Sequence, residues 1–132
     1  MHQFEVVTRT RAELVEVTDR VRDAVRASGV REGLCVVYCP HTTAAVTINE
    51  NADPDVKHDM LAKLSELAPH RERYYRHAEG NTDSHAKAIM VGASQVIFIE
   101  RGKLALGTWQ GVFFCEFDGP RERKMWVKVT AD

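Results

Sequence analysis

The stretch QVIFIERGKLALGTWQGVFFCEFDGPRERKMWVKVT, Gln95 to Thr130, decides the fold class. Apolar, β-branched and aromatic residues fill Gln95–Glu100, Lys103–Leu106, Gly111–Phe117 and Arg123–Thr130, and turn chemistry separates them at Arg101-Gly102 and Asp118-Gly119-Pro120. Four strands in succession predict an antiparallel meander. The preceding segments differ in period. Asp83 or Ser84 to Val91 predicts a short helix closed by Gly92, and His70–Asn81 is polar and irregular. Before that, Val56, Met60, Leu64 and Leu67 share a helical face that starts at Asp53-Pro54, cap and first turn, and stops at Pro69.

Further toward the N-terminus, Ala45–Asn49 and Leu34–Cys39 predict strands, the second ended by Pro40. Glu13 to Thr18 fits both periods; we read a helix capped by Thr18 and ending before Gly29, with a first strand over Gln3–Thr10. Strands at both ends with helices between give an α+β architecture. No linker, repeat or low-complexity tract divides residues 1–132, which read as one domain.

Composition narrows the function classes. Eighteen Lys+Arg against 19 Asp+Glu leave a formal charge of -1, which argues against a protein that holds nucleic acid or anionic membrane by bulk charge. The longest apolar run, Leu34–Cys39, is far shorter than the roughly 20 residues of a membrane-spanning helix. Residues 1–10 show no secretory pattern, so a cytoplasmic location is expected. Cys35, Cys39 and Cys115 lack metal or redox spacing and read as reduced, buried thiols.

Three polar segments sit at element boundaries, where side chains converge without filling a core. The first is Pro40-His41-Thr42-Thr43 with Ile48-Asn49-Glu50-Asn51-Ala52-Asp53. His77 to His85, containing Glu79, Asn81 and Asp83, is the second; the third is Gly107-Thr108-Trp109-Gln110-Gly111 with Glu116 to Arg121. Neutral imidazoles suit zinc and related ions, and a site of three histidines with an open position polarises a water or phosphate oxygen. No standard zinc spacing is present, so turn histidines are the competing reading. Glu50 at a strand end is a candidate general acid or base, whereas Asp53 serves equally as a helix cap. Arg121 and Arg123, alternate residues of one strand, can face one anion or guard a solvated edge. Trp109, Phe113, Phe114 and Phe117 read as core or subunit interface rather than as stacking platforms for a base.

Taken in order, His41-Thr42-Thr43-Ala44, Ile48-Asn49-Glu50, Asp53-Pro54, His77–Asn81 with Asp83 and His85, Leu106–Gly111 and Glu116–Arg121 resemble the YjbQ-like family, also called secondary thiamine-phosphate synthases. The likeness runs from about Phe4 to Val129. It implies an α+β protomer built as a β-sandwich with two or three short helices, associating as a homotrimer. The resemblance further implies a pocket with His41, His77 and His85 binding a divalent metal, zinc or magnesium, or an anion. Glu50, Asp53, Asp83 and Arg121 are then the catalytic candidates, and Thr42, Thr43, Asn81, Trp109 and Gln110 the substrate-binding ones. Ser84 and Phe98 depart from the family pattern, which more often has alanine and proline there. The implied reaction joins a pyrimidine carried on pyrophosphate to a thiazole phosphate, so the partner is a small phosphorylated metabolite. Two other readings stay open: non-catalytic capture of a metal or phosphometabolite, and RNA binding along Arg121, Arg123, Lys124 and Lys128, which the neutral charge disfavours.

Overall fold

The computed structural model of the chain describes residues 1–132. In chain order the elements are β1 (His2–Val7), β2 (Glu13–Glu16), α1 (Thr18–Ser28), β3 (Gly33–Tyr38), β4 (Ala44–Glu50), α2 (Pro54–Leu67), α3 (Thr82–Val91), β5 (Ser94–Glu100), β6 (Lys103–Leu104), β7 (Gln110–Glu116) and β8 (Glu122–Ala131). The α+β class holds, but the strand order corrects the expected meander. One sheet runs β1-β8-β3-β5-β6 and a second runs β2-β7-β4, so β7 leaves its sequence neighbours to become the centre of the smaller sheet. The reason lies in β7 itself: Val112, Phe113, Phe114 and Cys115 are all buried, and a strand apolar on both faces needs cover on both.

The two faces of β7 are covered differently. Val112 and Phe114 join Val46, Cys35, Val37, Ile97, Ile99, Met125 and Val127 in the core between the sheets, closed at one side by Val21 and Val25 of α1. On the outer face Cys115 and Phe117 pack with Ala45 and receive Leu64 of α2 and Ala88 and Val91 of α3. Truncating a ring as buried as Phe114 to alanine costs about 3–5 kcal/mol in such cores.

Local chemistry explains most element ends. The Asp53 carboxylate accepts the Asp55 N–H at 2.9 Å, with Pro54 opening α2. Gly29 takes the left-handed conformation (φ 71°) that closes α1. The ambiguous segment before α1 holds both structures, β2 and then the helix. Thr18 is not its cap: Val17 occupies that position, and the Thr18 hydroxyl accepts the Val112 N–H at 2.9 Å, tying α1 to β7. β1 ends at Val7 rather than Thr10, which frees Thr8 for a polar role described below. All three cysteines are buried and unpaired. No helix is long and apolar enough to cross a membrane.

Alternation on β3 and β5 turns Cys35, Val37, Ile97 and Ile99 inward and leaves Leu34 and Tyr38 beside Val96 and Phe98 on the other face. That face is uncovered: Phe98 is 65% exposed and Val96 57%.

Candidate functional site

Three segments far apart in sequence meet at the β7–β8 corner. β7 ends in Glu116, which is fully buried and forms a salt bridge with Arg123 of β8. Arg123 Nε donates to Glu116 Oε2 at 2.7 Å, and Nη2 donates to the Thr43 hydroxyl at 2.8 Å. The Thr8 hydroxyl completes the frame, donating to Glu116 Oε2 and accepting the Arg121 N–H, each at 2.9 Å. Gly119 lets the corner close, since a Cβ there would stand 2.4 Å from the Thr10 carbonyl oxygen. A second buried ion cluster fixes α3 alongside: Arg11 reaches both Asp83 oxygens at 3.0 and 3.1 Å, and Lys87 lies 3.6 Å from the same carboxylate. Burial alone would raise the Asp83 pKa, but the Arg11 hydrogen bonds and charge outweigh it and hold it below the usual carboxylate value.

Above this frame lies a cavity of about 470 Å³ lined by polar and charged side chains and by Pro40. His41, Thr42 and Thr43 form one wall, His77, Asn81 and His85 another, and Arg121 with Asp118 the third. The His77 and His85 rings stand 5.4 Å apart, centroid to centroid, nearly perpendicular. His41 is anchored through Nε2, which lies 2.8 Å from the Lys124 nitrogen and 3.1 Å from its carbonyl oxygen, leaving Nδ1 without a protein partner. Burial, and then the Arg123 charge, hold its pKa below the ordinary value of 6.5, which favours the neutral ring. Arg121 is half exposed and paired with Asp118 at 3.1 Å. Asn81 donates to Asp118 at 2.7 Å, while its buried Oδ1 has no partner. An orphaned buried oxygen in a polar cavity is a place where a ligand group or water completes the hydrogen bonding.

The candidate set thus divides. His41, His77, His85, Thr42, Thr43, Asn81 and Arg121 converge on one cavity. Five others do not, and their placement corrects the single-pocket expectation. Asp83 is locked between Arg11 and Lys87 and does not line the cavity. Glu50 faces an apolar cleft under α2; Asp53 is spent as the α2 cap. Trp109 is 63% exposed, and Gln110 uses its side-chain oxygen to accept the Gly107 N–H at 2.8 Å within its own turn. The register explains the split: Glu50 pairs with Gln110 and Ala44 with Glu116, so the two groups occupy opposite ends of one ladder, roughly 20 Å apart at strand rise.

Sequence reasoning did not assign Glu116 and Arg123 their role as a buried frame. Alternation placed Arg123 with Arg121 toward an anion or solvent, and both line the cavity, but the Arg123 head group is buried and engaged by Glu116 and Thr43. As to a metal, no group of three or more His, Cys, Asp or Glu side chains is arranged to hold one. Two imidazoles can share an ion at the spacing of His77 and His85, given metal–nitrogen bonds of about 2 Å. His41 does not complete a three-ligand set in this arrangement.

Known proteins share this architecture. A UPF0047 protein of Methanocaldococcus jannaschii is 50% identical over 132 residues, all of this chain and 95% of its own length. YugU of Bacillus subtilis, also a UPF0047 protein, is 50% identical over 96% of each chain. The crystal structure of an uncharacterised conserved protein of the YjbQ/UPF0047 family from Clostridium acetobutylicum superposes with a TM-score of 0.96 at 50% identity, covering 98% of this chain and 100% of that one. A YbjQ-like protein of unknown function from Sulfolobus solfataricus gives 0.94 at 35% identity, covering 99% and 96%. The family profile described as "UPF0047 protein YjbQ-like" matches residues 2–132, and the chain belongs to that family.

Proposed function

We propose that the histidine cavity binds a small phosphorylated metabolite and acts on it as a thiamine-phosphate synthase-type transferase, joining a pyrimidine pyrophosphate to a thiazole phosphate as pyrophosphate departs. The observation that carries the reading is the convergence of His41, His77, His85, Arg121 and the Thr42-Thr43 hydroxyls on one mainly polar cavity. Departing phosphate oxygens need preorganised donors and positive charge, and these side chains supply both. Arg121, released from Asp118, forms the mobile cationic arm; Asn81 Oδ1 accepts from a substrate N–H or O–H. Glu79, on the cavity wall 3.9 Å from His77, is the carboxylate that would orient that imidazole. A divalent ion, zinc or magnesium, would find two protein ligands in His77 and His85 and would supply Lewis-acid stabilisation of the same oxygens. The working unit in this reading is a homotrimer that covers the Val96–Phe98 face; light scattering should give three chains, and Phe98→Glu should give one.

The test is direct. Purified protein incubated with both precursors should release pyrophosphate and form thiamine phosphate, and His77→Ala and Arg121→Ala should each lower turnover at least tenfold with unchanged circular dichroism. Non-catalytic capture is the second reading, and one observation favours it: Asp83 and Glu50 are diverted elsewhere, and Asp118 is already engaged by Arg121 and Asn81. Saturable pyrophosphate binding without turnover of the precursors would select it.

A further inference from the structure

At the opposite end of β3 from the histidine cavity, three segments bring five cationic side chains to one open cleft of about 610 Å³. Arg22 and Arg26 come from α1, Arg31 from the loop after it, and Arg101 and Lys103 from the β5–β6 hairpin. No acidic side chain lines the cleft. In a chain whose formal charge is -1, this concentration is local. Arg22 and Arg26 are paired only with Asp19 and Asp23, in exposed contacts three residues apart at 3.1 and 2.8 Å. Such pairs contribute little, and an incoming anion displaces them readily. Arg31, Arg101 and Lys103 take part in none of the chain's ion pairs.

The hairpin turn supplies a second, independent observation. Arg101 has φ 52°, the one non-glycine residue with positive φ, and Gly102 follows at 78°. Two successive left-handed residues suit a tight hairpin, whose first position ordinarily takes Asn, Asp or Gly. Arginine is strained there, and strain of this kind persists where the side chain serves another purpose. Backbone bonds tie the two walls: Gly102 N–H donates to the Arg31 carbonyl at 2.9 Å, and Arg101 N–H to Glu32 Oε1 at 3.1 Å. The cations are therefore held together by the fold against their own repulsion.

We propose that this cleft binds a linear oligophosphate of three or more phosphate groups. One phosphate, carrying about −2 charge, answers fewer than half of the five cations, whereas a longer chain answers all of them. Val25 and Leu104 are the apolar lining and no aromatic ring is present, so the cleft has no stacking platform for a base. Inorganic tripolyphosphate and a nucleoside triphosphate therefore bind alike, through the phosphates. Asp23, Glu32 and Glu100, which adjoin the cationic residues in sequence, and Asp19, three residues before Arg22, bound the positive field, unlike the extended stripe that follows a nucleic-acid backbone.

Isothermal titration of the full chain tests the proposal, in an Arg121→Ala background that weakens anion binding in the histidine cavity. Tripolyphosphate and ATP should each bind once per chain with affinities within about threefold of one another, both weakening as salt rises from about 50 to about 200 mM. Arg31→Ala should lower affinity about tenfold. Arg101→Gly separates binding from structure: it should lower affinity similarly while raising Tm by roughly 3 °C, because the strain is removed. Unchanged affinity in Arg101→Gly overturns the proposal. So does tighter binding of an RNA oligonucleotide than of tripolyphosphate, or no binding of tripolyphosphate at millimolar concentration.

Discussion

The two ends of the β4–β7 ladder carry similar residue types and use them differently. At the Glu116 end, hydrogen bonds join residues 72 to 113 positions apart: Arg11 to Asp83, and Thr8 to Glu116 and Arg121. At the Gln110 end, Gln110 bonds three residues back to Gly107, and Asp53 two residues on to Asp55. Both ends looked chemical in the sequence. The difference teaches that the frame beneath the histidine cavity is held by distant segments, which fix its position at the expense of buried charge, while Arg121 above it is tied to Asp118 three residues away. A polar group that ends a helix or a turn needs only its neighbours.

The largest break in this comparison is Glu116→Ala. It leaves Arg123, 4% exposed, as an unpaired charge beneath the histidine cavity, and removal of one partner of such a pair destabilises by about 3–5 kcal/mol. Urea denaturation should show this loss, whereas Glu50→Gln at the other end should stay within about 0.5 kcal/mol. Replacing Glu116 and Arg123 together with Met and Leu should recover most of the loss, since no charge is then stranded.

Asp83→Asn comes next, at about 3 kcal/mol near neutral pH, because Lys87 and Arg11 lose the carboxylate that pairs them. Its pH dependence carries a sign. The folded pKa lies below the unfolded value of about 3.9, so the stabilisation is complete above that value and is lost as pH falls through the folded pKa. The gap between wild type and Asp83→Asn in urea midpoint should be constant from neutral pH to about 5 and shrink below about 4. A gap that persists at lower pH would assign the effect to shape rather than charge.

These contrasts also mark what was legible in the sequence. Chemistry that acts within a few residues could be read: the Asp53-Pro54 start of α2, Gly29 at the end of α1, the Arg101-Gly102 turn. Placement at element boundaries marked His41, His77 and His85 as free to converge, and the family resemblance grouped them; the three do line one cavity. Strand partnership was not legible, because β7 pairs with β2 and β4 through long-range cover of its two apolar faces, while sequence order favours the hairpins on either side of it. The burial of Arg123 was hidden for the same reason: its partner, Glu116, sits across a corner that only the closed Gly119 turn creates.

A smaller effect separates the two ends by ligand rather than stability. Pyrophosphate titrated into the folded protein should bind about tenfold more weakly to His77→Ala, the loss of one good polar contact, and within about twofold of wild type to Glu50→Gln and Gln110→Ala. An equal loss at Glu50 would mean that the far end of one chain completes the cavity of another, and mixing His77→Ala with Glu50→Gln protein should then restore binding.

The smallest expected effect is Asp53→Ala. The carboxylate accepts one N–H at the start of α2, a bond of 2.9 Å, and removal of such a cap destabilises by about 1 kcal/mol. α2 has no fully buried residue, so the loss should appear first as faster amide exchange in its opening turn, well before global unfolding. Turnover and pyrophosphate affinity should not move. A change in either would give Asp53 a chemical role beyond the cap; exchange confined to residues 54–57 would show that the Gln110 end contributes structure while the Glu116 end contributes the site.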